Sequence, residues 1–242
     1  MAVGVAMFNT YVYIPDRATR MWICLFTVLV TCIDDMMDEG EDLVHVHNFY
    51  ERFASNQSQG NPVLSALDAL LRDIVHHYPS PVSNLIVASA IDFISSIMLD
   101  NETKDMQISA EAQSYPDYMR LLSGVQTAYS LFISLPRSHL GNMFNACRIW
   151  PFDILSFYKE EIEGDTTNYL SRVAASRALT KQDVLHEIVE KTVQAHHNIL
   201  ECLRPYTEAC DAYISFFDGY VKFHAALKRY KMEEIMAEMS SS

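Results

Sequence analysis

The sequence predicts an all-α protein, and three observations lead to that class. Apolar residues recur at intervals of three and four along nearly the whole chain, the spacing of one helix face. Alternating apolar and polar runs of the strand type are scarce. Glycine and proline number only 7 and 8 in 242 residues, and breakers such as "NQSQGNP", "YPSP", "SLPRSHLG" and "EGDTTN" stand between the periodic stretches. With 50% hydrophobic and 20% charged residues the chain can bury a sizeable core and lacks the composition of a disordered one. No repeat, linker or low-complexity block divides it, so residues 1–242 read as one domain of packed helices.

The first element is "FTVLVTCIDDMMDEGEDL" with the residues before it. Met21 to Ile33 is almost wholly apolar and runs straight into Asp34, Asp35, Asp38, Glu39, Glu41 and Asp42. Periods of 3.6 follow over Val63 to Tyr78, Ser83 to Leu99, Tyr115 to Leu135 and Ile154 to Glu163. In "VLHEIVEKTVQAHHNILECL" the series Leu185, Ile188, Val189, Val193, Ile199, Leu200 and Leu203 keeps one face apolar. Thr180 offers an N-cap there, with Asp183 three residues on. A final helix is expected over Ala212 to Met239.

Charge narrows the partners. A net charge of -13 argues against nucleic acid or an anionic membrane as the main one, but admits an anionic small molecule bridged by a cation. The five cysteines are odd in number and form no C-x-x-C pair, which fits a reduced, cytoplasmic setting. The opening "MAVGVAMFNTYVYIP" has no basic n-region, and Met21 to Ile33 is too short to span a bilayer, so a soluble protein without stable membrane insertion is expected.

The acid cluster carries the first chemical signal. On a helix Asp34 and Asp38, and likewise Asp35 and Glu39, stand at i and i+4 and share a face, where like charges repel unless something positive lies against them. Oxygen donors of this kind suit magnesium, which keeps some waters and shares its remaining sites with a phosphate. A solvated acidic helix end is the plainer reading of such a motif alone. An EF-hand loop is excluded: counted from Asp34, Glu39 falls where glycine is required and His45 where the bidentate acid belongs. The histidine pairs His45/His47 and His196/His197 lack zinc spacing, and no G-x-S-x-G, Walker loop or dinucleotide fingerprint occurs.

Partners for the acids occur downstream. In "FDILSFYKEEIEGD" Ser156 and Glu160 stand at i and i+4 with Lys159 beside them, and "LKRYKMEEI" joins Arg229 to Tyr230. A hydroxyl and a carboxylate one turn apart can share a metal, while lysine, arginine and a phenol supply donors for a diphosphate.

Taken together, "DDMMD", "DILSFYKE" and "KRYKMEEI", with "NLIVASAIDF" and "SYPDYMRLLSG" between them, resemble the trichodiene synthase family of class I terpene cyclases, over nearly the whole chain. The resemblance implies a helical bundle around a central apolar cavity, here without the family's first N-terminal helices. It further implies ionisation and cyclisation of farnesyl diphosphate with three magnesium ions, and commonly a homodimer. By the same resemblance Asp34 ligates magnesium, Asp35 pairs with Arg229, Ser156 and Glu160 hold another magnesium, and Lys159, Arg229 and Tyr230 contact the diphosphate; Asp38 is a further metal candidate. Phe26, Phe93, Tyr129 and Phe223 are candidate wall residues that could face a carbocation.

The sequence departs from the family's pattern at four places. Phe152 stands where the second metal motif begins with Asn or Asp, and phenylalanine cannot ligate magnesium. Ala88 takes the place read as a diphosphate-sensing arginine, the interval from Pro136 to Asp153 is short, and the N-terminal region is reduced. A catalytically impaired relative with the same fold is therefore the alternative. A chain-elongating prenyl transferase, which carries two aspartate-rich motifs, fits less well.

Overall fold

A computed structural model of the chain describes residues 2–38, 43–106, 109, 111–123, 125–133 and 152–234. Among the described residues there are twelve α-helices and no strand, as the class expected from the sequence requires.

The spine is α2 (Arg17–Asp38), which follows α1 (Ala2–Thr10). Asp16 starts it by accepting from the Thr19 backbone N–H at 2.9 Å and the Thr19 hydroxyl at 2.6 Å, and these bonds hold its carboxyl below the ordinary range. The apolar half of the segment buries Trp22, Ile23, Phe26, Val30 and Ile33 in the main core, and the helix continues unbroken until Asp34 and Asp35 emerge half-exposed. Helix α1 packs on α2 and on α12 (Thr207–Ala226). The approach to α12 is close enough that a Cβ on Gly219 would stand 2.6 Å from the Thr10 Cα, so only glycine fits there.

Helices α3 (Leu43–His47) and α4 (Phe49–Ala54) lead to α5 (Pro62–Asp73), where the Asn61 side chain caps Val63 and Leu64. The helix expected to reach Tyr78 gives way to a 3₁₀ turn at Ile74–His76, because Tyr78 precedes Pro79 and a residue before proline resists the α conformation. Helix α6 (Ser80–Thr103) is longer at both ends than its apolar period suggested. It is long and apolar enough to cross a membrane by length and composition, but half of that window is buried, the make-up of a core helix. The single helix expected from Tyr115 onward is two, α7 (Tyr115–Leu122), closed by Ser123, and α8 (Val125–Phe132). Leu135 and the rest of 134–150, including Pro136 and Cys147, lie outside the described residues.

Helix α9 (Phe152–Glu163) carries the second motif and leads into α10 (Tyr169–Arg177), capped by Asn168. Helix α11 (Lys181–Leu203) opens with the expected capping box between Thr180 and Asp183. The last expected helix ends early: α12 stops at Ala226, Leu227 is extended at φ -93° and ψ 118°, and Lys228–Tyr230 form a 3₁₀ turn. That break turns Arg229 back toward α2. Two smaller apolar clusters, one joining α9, α10 and α11 around Leu170 and one joining α11 to α12 around Leu203 and Tyr213, complete the packing.

Candidate active site

A cavity of about 640 Å³ is lined by residues of α1, α2, α6, α7, α8, α9, α10, α12 and the Lys228–Tyr230 turn. Asp34, Ser156, Lys159, Glu160, Arg229 and Tyr230 all line it, although they lie up to 196 positions apart in the chain (230 minus 34). Asp35 is not on the lining. It supports the rim from behind, accepting from Arg229 Nη1 at 2.6 Å, while Arg229 Nη2 stands 3.8 Å from Asp34 Oδ2. Burial opposes the charge on Arg229, but the bond to Asp35 and the nearness of Asp34 outweigh it and hold the guanidinium above its ordinary value. Asp38 closes α2 on the same side, with its side chain outside the described residues, as are Glu39, Glu41 and Asp42 entirely.

The opposite wall is α9. The Ser156 hydroxyl is buried and makes no well-aligned hydrogen bond, yet lies close enough to Glu160 to favour its charged form. Burial dominates at Glu160 and, with repulsion from Asp153 and Asp165, pushes its carboxyl up to about 7 against Ser156 and Lys159. Lys159 pairs with Glu163 at 3.1 Å. Burial lifts the Tyr230 phenol to about 12 despite Arg229 beside it, so it is a donor at neutral pH.

Phe152 occupies the first turn of α9 at the cavity's lip. Its ring meets His224 edge-on at 5.8 Å and Tyr230 at 6.5 Å. The neighbouring Asp153 does not stand in for a ligand: its carboxylate accepts from Arg120 Nε at 2.7 Å, and burial raises its pKa against that pairing. Ala88, read from the sequence as a missing cavity cation, lies exposed on α6 and off the lining. A cation that the sequence reading passed over, Arg120 within "SYPDYMRLLSG", does line the cavity, and its Nη2 is buried without a partner.

Of the expected wall aromatics, Phe93, Tyr129 and Phe223 face the cavity. Phe26 does not; it is fully buried in the core, stacked on Trp22 at 5.5 Å and edge-on to Phe132 at 5.4 Å, since its place on α2 turns it toward α8. Val30, Ile97 and Met119 complete an apolar floor. His224, which no sequence motif marked, adds a buried imidazole to the α12 wall.

Among the described residues no three His, Cys, Asp or Glu side chains stand together to hold a metal ion unaided. The donor set nevertheless suits a hard cation shared with a phosphate: a buried hydroxyl without a well-aligned partner, a carboxyl that burial holds near half ionisation, and an acid on the same cavity's lining.

Comparison with known proteins agrees with this geometry. The family described as Trichodiene synthase (TRI5) matches residues 3–242. The chain belongs to the trichodiene synthase family. It is 36% identical to alpha-cuprenene synthase COP6 of Coprinopsis cinerea over 96% of this chain and 73% of that protein. Terpene synthase BipA of Cochliobolus sativus is 29% identical over 95% of this chain and 74% of its own length. Trichodiene synthase of Fusarium sporotrichioides is 20% identical over 78% of this chain and 53% of that protein. The all-α fold of this chain is thus that of a terpene synthase family.

Proposed function

We propose that this protein is a magnesium-dependent sesquiterpene synthase that ionises and cyclises farnesyl diphosphate and releases diphosphate. The observation that carries the reading is that Asp34, Arg229 and Tyr230 line the same cavity as Ser156, Lys159 and Glu160, together with apolar side chains of α2, α6, α7 and α12. The names of its relatives, alpha-cuprenene synthase and longiborneol synthase among them, support a cyclase of this kind.

Asp34 on one side and Ser156 with Glu160 on the other would hold the cations. Magnesium held there would supply Lewis-acid neutralisation of the leaving diphosphate's charge. Arg229, Lys159 and Tyr230 donate to the diphosphate oxygens, which stay at the rim while the hydrocarbon chain enters the floor. Asp35 keeps the Arg229 fork aimed at that rim. Phe93, Tyr129 and Phe223 offer ring faces, each worth about 0.5–2 kcal/mol to a passing cation.

Phe152 favours a second reading, a relative of the same fold with weakened metal coordination, because it leaves α9 two oxygen donors where the family pattern has three. Incubation of the purified protein with farnesyl diphosphate and magnesium separates the two. A cyclic hydrocarbon that is lost in Asp34→Ala supports the synthase, and no product from folded protein supports the impaired relative. In the second case Phe152→Asn tests whether the missing donor is the obstacle.

A further inference from the structure

We infer that the ring of Tyr129 closes the inner end of the cavity and sets the longest isoprenoid chain that the protein accepts. The inference rests on the synthase reading above and adds to it the residue that limits substrate length.

Helix register gives the depth. The lining residues of α2 are Thr27, Val30, Thr31, Asp34 and Met37, so Thr27 lies seven residues (34 minus 27) inward of Asp34, about 10 Å along the helix at 1.5 Å per residue. Tyr129 reaches that level from α8. Its hydroxyl donates to Thr27 Oγ1 at 3.2 Å, while the hydrogen of Thr27 goes to the Ile23 carbonyl at 2.9 Å. Both partners of the bond line the cavity, so the ring spans from α8 to α2 at the depth of Thr27.

Behind the ring lies the core. Phe26 and Phe132, both fully buried, meet it nearly at right angles with centroids 6.2 and 5.7 Å away, and the Tyr11 hydroxyl donates to the Tyr129 carbonyl at 3.1 Å. Tyr129 itself is only partly buried, whereas Met7, Thr27, Phe93 and Tyr220 on the same lining are buried. With core residues on its far side and Thr27 at its tip, the surface that Tyr129 leaves open is the one toward the cavity. A close-packed interior takes up extra methylenes only with strain, so a chain that meets the ring stops there.

Length is read from the anchored end. A substrate whose diphosphate is held by Arg229, Lys159 and Tyr230 extends inward, and each further isoprene unit is added at the end that meets Tyr129. The phenol offers no polar exit, since its hydrogen is bound to Thr27 and burial holds its pKa above the ordinary value. A smaller apolar side chain at this position would extend the cavity toward Phe26 and Phe132 and make room for a longer chain.

The test measures diphosphate release from farnesyl and geranylgeranyl diphosphates, with magnesium, in wild type and in Tyr129→Ala, Tyr129→Leu and Tyr129→Phe, each checked by thermal melting. Wild type should prefer the farnesyl substrate by about tenfold or more in kcat/KM. Tyr129→Ala should move the geranylgeranyl-to-farnesyl ratio about tenfold toward the longer chain, and Tyr129→Leu, which leaves a smaller void if alanine does not fold, about threefold in the same direction. Tyr129→Phe loses the bond to Thr27 but keeps the ring, and should hold the ratio within about twofold of wild type. The inference is overturned if wild type takes both substrates equally, if the ratio is unchanged in a folded alanine or leucine variant, or if phenylalanine shifts it as far as alanine does. Absence of diphosphate release from either substrate in wild type instead overturns the synthase reading, and the inference with it.

Discussion

The rim at Asp34, Asp35 and Arg229 and the wall at Ser156 and Glu160 offer the same oxygen chemistry and handle charge in opposite ways. At the rim the protein supplies its own cation: Arg229 bonds Asp35 at 2.6 Å and stands 3.8 Å from Asp34, all three partly open to water. On the wall the buried Ser156 hydroxyl has no well-aligned partner and burial leaves the Glu160 carboxyl about half ionised at pH 7. The rim's acids already face a cation of the protein's own, whereas the wall has none bonded to Ser156 or Glu160. Under the proposed function, a substrate bringing magnesium and diphosphate together would satisfy both; among the described residues neither half gathers three metal-ligating side chains by itself.

Removing the rim's cation sharpens this contrast most. Arg229→Ala should lower diphosphate release from farnesyl diphosphate by on the order of 10²–10³-fold, as for other preorganised donors to a developing anion. A loss under about tenfold would mean that the rim does not engage the leaving group.

The wall's cost of burial shows in pH dependence. His224 has a folded pKa of about 4, below the unfolded value of 6.5, so the unfolded chain takes up the proton first as pH falls. Stability from this group is present above pH 6.5 and is lost between 6.5 and 4, by about 3 kcal/mol for so buried a ring. Denaturant melts at pH 7 and pH 4 should therefore differ less in His224→Phe than in wild type.

Restoring an oxygen donor to the wall is expected to act in the opposite direction. Phe152→Asn should tighten magnesium diphosphate binding about tenfold, or about 1.4 kcal/mol, seen as a further rise of about 2–4 °C in Tm at a saturating ligand concentration. An unchanged rise would show that Phe152 blocks nothing.

The smallest effect concerns the metal-free protein. Glu160 has a folded pKa raised to about 7, so its contribution to stability is full below the unfolded carboxyl value of 4.5 and is lost as pH rises through 7. Glu160→Gln should thus melt higher than wild type at pH 8, by about 1 kcal/mol after allowance for partial solvent screening, and alike at pH 4.

Much of this was legible in the sequence because helical spacing and motif order are local properties. The turn from apolar to acidic along α2, the capping box at Thr180 and Asp183, and the i, i+4 pair Ser156 and Glu160 each depend on neighbours within one or two turns. The Asp35–Arg229 contact followed from family resemblance, since nothing local joins residues 194 positions apart. What periodicity could not give was direction. Phe26 and Phe93 look alike in sequence, yet one packs in the core and the other faces the cavity. Arg120 and His224 carry no motif of their own, and their orphaned nitrogens exist only once distant helices have closed around them. The resemblance put Ala88 in the place of a diphosphate-sensing arginine, yet it lies on the exposed face of α6 and off the cavity lining.

A double-mutant cycle tests the central claim most directly. Thermal stabilisation by inorganic diphosphate with magnesium is measured in wild type, Asp34→Ala, Glu160→Gln and the double variant. If rim and wall are two halves of one cradle, each single change removes most of the magnesium-dependent shift and the double removes little more. Independent, additive losses, or a shift that survives both substitutions, would contradict the account.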